Sequence, residues 1–190
     1  MKNILFFGNS LTAGYGLRNT HTESFPARIE QKINAEHLDY RVINAGLSGD
    51  TSSGGLNRIN YWMSQPVDVF VLELGINDII RRIPPQTTQR NLQGIIDKVK
   101  AKCPGVKMVL MGMQLPGIIP SPFASQFNAI YPALANANQM VLVRFFLEGV
   151  AGKSHLNLPD GLHPNAEGYK VTADNVWPVI EKLIVNNPKS

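Results

Sequence analysis

The chain has 190 residues, 44% hydrophobic and 17% charged, which predicts one compact domain over residues 1–190 with a sizeable core and excludes a disordered or fibrous chain. Its net charge of +4 and pI of about 9.3 raise nucleic acid as a partner. The 18 Lys and Arg are scattered, however, with Arg81-Arg82 the one adjacent pair and no basic arm, which argues against it.

Short apolar runs alternate with longer helical patterns. Ile4 to Phe7 reads as the first strand, and Met1-Lys2-Asn3 leads straight into it. That start is expected of a cytoplasmic protein, or of a periplasmic or secreted one written without its signal peptide. Ser24-Phe25-Pro26 predicts an N-cap with proline in the first turn, followed by Ile29 and Ile33 at i, i+4. Tyr40 to Ile43 is the second strand, and a helix follows from roughly Gly54 to Met63. Val67 to Leu74 is apolar on both faces, as suits a central parallel strand covered by helices. A helix from near Pro85 carries Leu92, Ile95, Ile96 and Val99 on one stripe and stops before Pro104-Gly105. Cys103 at its end is the single cysteine, so no intramolecular disulfide is possible. Val106 to Met113 and Met140 to Phe145 complete five strands, with a helix over about Ser125 to Asn136 between them despite Pro132. Asn165 caps a last helix that runs past Trp177-Pro178, where a kink is expected. The alternation predicts a three-layer α/β/α sandwich on a five-stranded parallel sheet. No run has the length of a membrane span, so no integral membrane segment is expected.

Residues with chemical potential gather behind the strands. Ser10 follows the first, Gly46 the second, Asn77 the third, Gln114-Leu115-Pro116 the fourth, and Asp160 with His163 the fifth after a long loop. The C-terminal ends of parallel strands share one edge, so points far apart in sequence converge there. A serine is a poor nucleophile unless a base activates it and fixed donors meet the developing oxyanion. Each feature alone reads as a turn, and His163 before Pro164 alone reads as a loop histidine. His21, His37 and His155 have no such context and are expected at the surface or in packing. No P-loop, dinucleotide fingerprint or metal-ligand spacing is present, so neither cofactor nor metal is expected.

The blocks Gly8-Asn9-Ser10-Leu11, Asn44-Ala45-Gly46, Gly75-Ile76-Asn77-Asp78 and Asp160-Gly161-Leu162-His163 occur in the order of the SGNH (GDSL) hydrolases. The chain resembles that family over nearly its whole length, and most closely its small bacterial thioesterases, lysophospholipases and arylesterases. Leu11 to Gly16, Ser48 to Ser52 and Leu72 to Gly75 also look like that branch. The resemblance implies a flavodoxin-like sandwich and a serine esterase working through an acyl-enzyme. It makes Ser10 the nucleophile, His163 the base and Asp160 the group that orients it. It makes Ser10, Gly46 and Asn77 the oxyanion donors. Many relatives carry aspartate where this chain has Asn9, a change that bears on how the nucleophile turn is organised.

For the substrate, the apolar Leu115, Pro116 and Ile118, with Ile79 on the same edge, suit an acyl chain or aromatic leaving group of a small ester or thioester. Carbohydrate O-deacetylation is the alternative among enzymes of the family, and a catalytically weakened binding protein the alternative from another functional class. The expected state is a monomer, with a weak homodimer as the other option.

Overall fold

The computed structural model describes residues 1–114 and 122–185. Five strands form one parallel sheet: β1 (Lys2–Gly8), β2 (Tyr40–Gly46), β3 (Val69–Glu73), β4 (Lys107–Met111) and β5 (Val141–Val143), in the order β2-β1-β3-β4-β5. That is the flavodoxin-like order, whose switch point lies between β1 and β3. The three-layer α/β/α architecture expected from the sequence is the one observed.

The connecting helices are α1 (Ser10–Ala13), α2 (Thr20–Glu23), α3 (Phe25–Ala35), α4 (Ser52–Trp62), α5 (Ile76–Ile80), α6 (Pro85–Lys102), α7 (Pro122–Asn138) and α8 (Ala166–Val185). Helix α3 packs with α8, while α4 packs on α6 and α6 on α7, which gives the two layers. Ile4, Leu5, Phe7, Phe70, Val71 and Leu72 are fully buried between these layers, and their two-sided apolar character is why β1 and β3 lie at the centre.

The caps read from the sequence form as hydrogen bonds. Ser24 Oγ accepts from the Ala27 N–H, and Asn165 Oδ1 accepts from the Glu167 and Gly168 N–H groups. Helix α4 starts two residues before the expected Gly54, at Ser52, with Thr51 as its cap. Cys103 ends α6 as expected and is half-buried. Pro132 and Pro178 both lie inside continuous helices. Strand β5 is shorter than its apolar run. The short helices α1, α2 and α5, and a 3₁₀ turn at Ser154–Leu156, have no periodic signature in the sequence. No helix among the described residues is long and apolar enough to cross a membrane.

Candidate active site

Register brings the site segments together. Gly8 pairs with Gly46 on one side and Glu73 on the other, so the ends of β2, β1 and β3 lie level. Arg58 on α4 ties these ends further. It donates to the carbonyls of Gly8 and Ala45 and pairs with Asp50 Oδ2 at 2.7 Å, while its guanidinium lies 3.9 Å from the centre of the Phe7 ring.

Chain direction changes sharply after β1. Asn9 caps the single turn α1 by accepting the Leu11 N–H on Oδ1 at 2.9 Å, which leaves Ser10 as the first helical residue. Gly8 is required here, because a Cβ would collide with Thr12 Oγ1 and the Glu73 carboxylate. Ser10 is 6% exposed, and its Oγ lies 2.8 Å from His163 Nε2.

His163 arrives from the loop after β5. Leu158 N–H donates to the His163 carbonyl at 2.7 Å, and Asn157 bridges Pro164, so the segment is a closed hairpin-like turn. Asn165 Nδ2 then donates to the His155 carbonyl, which fastens the turn to the start of α8. Asp160 works with both oxygens. Oδ1 accepts the N–H groups of Leu162 and His163, and Oδ2 sits 2.7 Å from His163 Nδ1. The backbone N–H of His163 foremost, helped by the His163 ring and the Leu162 N–H, holds the Asp160 carboxyl at about 2. With Nδ1–H directed at a carboxylate, Nε2 presents its lone pair to Ser10. Tyr15 covers the ring, its centroid 4.6 Å from that of His163. The structure thus brings Ser10, His163 and Asp160 into one hydrogen-bonded chain.

Asn77 enters on α5, beside the loop that follows β2. Its Nδ2 donates to the Asp50 carbonyl at 2.8 Å, which uses one of two amide hydrogens. The same loop is stapled to α5 twice more. Arg81 Nη2 donates to the Gly49 carbonyl, and buried Asp78 accepts from Ser52 N–H, Ser52 Oγ and Thr88 Oγ1.

Gly46 is a correction to the expected donor set. Its N–H is already directed at Asn44 Oδ1 at 3.0 Å. The reason for glycine is packing, since a Cβ would strike the backbone of Thr12 and Ala13 where α1 crosses β2. Three residues on, Gly49 sits at φ +80° in the turn closed by Asp50 N–H on the Leu47 carbonyl. Neither Gly49 nor Ser10 donates its backbone N–H to any partner among the described residues. The sequence signal for Gly49 lies in Ser48-Gly49-Asp50, a glycine in a polar turn at the same sheet edge.

Ile79 is half-buried and leans on the core, whereas its neighbour Ile80 is 57% exposed. Leu115, Pro116 and Ile118 lie outside the described residues. A cleft of about 570 Å³ between Lys100, Cys103, Lys107 and Leu183 lies at the N-terminal edge of β4, opposite the serine, and both lysines donate to Asn138 or the Leu183 carbonyl.

A sequence model of the GDSL-like lipase/acylhydrolase family matches residues 6–171. The chain is 35% identical over 184 residues to esterase TesA of Pseudomonas aeruginosa, covering 96% of this chain and 90% of that one. It is also 35% identical over 182 residues to thioesterase 1/protease 1/lysophospholipase L1 of Escherichia coli, covering 95% and 84%. Among solved structures, the psychrotrophic esterase EstA from Pseudoalteromonas, inhibited by monoethylphosphonate, matches with a TM-score of 0.88 at 31% identity, covering 98% and 100%. The chain belongs to the GDSL-like lipase/acylhydrolase family.

Proposed function

We propose that the protein hydrolyses carboxylic esters and thioesters through an acyl-enzyme on Ser10. The observation that carries this reading is the chain Ser10 Oγ, His163 Nε2, His163 Nδ1, Asp160 Oδ2, with contacts of 2.8 and 2.7 Å at its two ends. His163 takes the Ser10 proton as Oγ attacks the carbonyl carbon, and returns it to the leaving alkoxide or thiolate. Water then repeats the cycle to release the acid. Charge on the tetrahedral oxygen is met by the N–H groups of Ser10 and Gly49 and by the second amide hydrogen of Asn77. The family relatives are named esterase and thioesterase/lysophospholipase, and one related esterase is inhibited by a phosphonate, an analogue of that tetrahedral state.

An apolar acyl group is the substrate feature the rim favours. Tyr15 and Leu47 are about half exposed, at 51% and 52%, and with Ile80 all three sit on segments that carry site residues. Apolar side chains left exposed on these segments offer an acyl chain places to be buried. Against p-nitrophenyl acetate, butyrate and octanoate, kcat/KM is therefore expected to rise with chain length. A preference for acetate together with turnover of an acetylated sugar would replace this reading with deacetylation. Mass spectrometry after a fluorophosphonate should place the adduct on Ser10, with Ser10→Ala both unlabelled and inactive. An adduct elsewhere on active enzyme would sink the proposal.

Asn77→Ala tests the oxyanion assignment. Nucleophile and base remain, so kcat should fall on the order of 10²–10³-fold with KM little changed. A strong rise in KM at constant kcat would instead mean that Asn77 holds the ground-state ester.

A further inference from the structure

Glu73 ends the apolar strand β3 and is completely buried, yet no cation among the described residues pairs with it. Its partners are neutral donors of Asn9 and Thr12, both on the nucleophile turn, with the Thr12 N–H also directed at the carboxylate. Asn9 N–H reaches Oε2 at 3.1 Å, Thr12 Oγ1 reaches the same oxygen at 2.8 Å, and Asn9 Nδ2 reaches Oε1 at 2.8 Å. Burial foremost, against these hydrogen bonds, lifts the carboxyl to about 7. A buried charge costs stability unless it is paired and hydrogen-bonded, and here only neutral donors meet it. Among the described residues, the hydrogen bonds to this carboxylate all come from the turn that presents Ser10.

From this contact we infer that Glu73 is a positioning residue: as a pure acceptor it dictates which way the Asn9 amide faces, and so orients the Ser10 turn. Above about pH 7 the carboxyl is ionised and can only accept, and there the NH₂ of Asn9 must face Glu73. That leaves Oδ1 toward the Leu11 N–H at 2.9 Å and the Ser10 hydroxyl at 3.5 Å. The amide relays the acceptor character of Glu73 to the first turn of α1. Thr12 cannot supply this, because a hydroxyl rotates to donate or accept. The other ionisable groups whose charge states Glu73 influences are Tyr131 on α7 and Tyr169 on α8, both held neutral by burial above all. The inference rests on Ser10 being the nucleophile.

The test exchanges donor and acceptor across the Asn9–Glu73 contact. In Glu73→Gln the new NH₂ meets a donor whichever way the amide turns: the Asn9 N–H if it takes the place of Oε2, or the Asn9 NH₂ if it takes the place of Oε1, unless Asn9 turns its own NH₂ onto the Leu11 N–H. Either way the serine is displaced, and kcat and the rate of fluorophosphonate labelling should fall roughly 10- to 100-fold with KM within about twofold. The double variant Asn9→Asp/Glu73→Gln restores complementarity. The introduced carboxylate then accepts from both the introduced amide and the Leu11 N–H, at unchanged net charge. Its kcat should return to within about fivefold of the parent, a strongly non-additive pair. Unchanged kcat in Glu73→Gln, or a double variant that merely adds the losses of its two single changes, would overturn the inference. Should Glu73→Gln not fold, Asn9→Ala carries the test, since it removes the relay and leaves Glu73 with Thr12 and the residue 9 N–H. An unchanged kcat there also overturns it. Labelling of the unmodified protein separates the two readings. No adduct on Ser10 refutes the nucleophile assignment, whereas normal labelling of both parent and Glu73→Gln refutes only the role of Glu73.

Discussion

His163→Ala is expected to remove nearly all turnover, with kcat falling on the order of 10⁵–10⁶-fold, while His155→Ala stays within about twofold of the parent. The contrast follows from what each side chain does. His163 Nε2 is the one described base within hydrogen-bond reach of Ser10 Oγ. His155, exposed in the 3₁₀ turn, holds Asn165 through its backbone carbonyl, which alanine retains. Fluorophosphonate labelling should collapse in parallel with turnover, because the serine loses its proton acceptor. Asp160 adds no limb near neutrality to the pH profile of kcat/KM, since its carboxyl is held at about 2 and stays ionised. Equal losses in the two histidine variants would mean that the base is misassigned.

The architecture is legible where the signal is periodic or two-sided. Strands β1 and β3 announce themselves because nearly every side chain is apolar, which only a sheet covered on both faces tolerates. Helix α6 is equally plain from its stripe and its Pro85 start. Where one side chain overrides its neighbours, the sequence is less informative. The Gly54-Gly55 pair has low helix propensity and hides the start of α4 at Ser52, yet Gly55 is needed because a Cβ there would press on Leu74, Phe7 and Ile95. Helices of four or five residues rest on local hydrogen bonds and show no period. The apolar run at Met140–Phe145 is cut to three strand residues, and the Gly112 backbone meets the Arg144 carbonyl just beyond, too closely for any side chain at 112.

At the site, Ser10 and Asn77 are legible because each stands just beyond a strand, and Asp160 with His163 because they follow the fifth strand, after a long loop, on the edge where parallel topology brings such points together. The expectation for Gly46 fails for a physical reason. Whether a backbone N–H is free depends on a neighbouring side chain folding back on it, as Asn44 does here, and spacing does not reveal that. Glu73 is the one acid within β3, but its partner residues Asn9 and Thr12 lie more than sixty residues away in sequence.

Asp160→Asn should lower kcat by about 10⁴-fold while leaving the fold and KM nearly unchanged. The two oxygens of Asp160 have separable duties, and the substitution divides them. Oδ1 closes the turn by accepting from Leu162 and His163, at 2.9 and 3.0 Å. An asparagine keeps its carbonyl oxygen there, since the reverse orientation would face its NH₂ toward two backbone donors. The NH₂ then lies where Oδ2 met His163 Nδ1 at 2.7 Å. A donor at that point requires Nδ1 to be the acceptor, so the ring carries its hydrogen on Nε2. An Nε2–H cannot take the serine proton, and the imidazolium formed in the transition state also loses its counter-charge. Asp160→Ala should be worse for stability, because it opens the turn as well. Thermal melting separates the two variants, with Asp160→Asn close to the parent and Asp160→Ala lower. A kcat for Asp160→Asn within tenfold of the parent would mean that the tautomer of His163 is set by something other than this carboxylate, and the role given to Asp160 would fall.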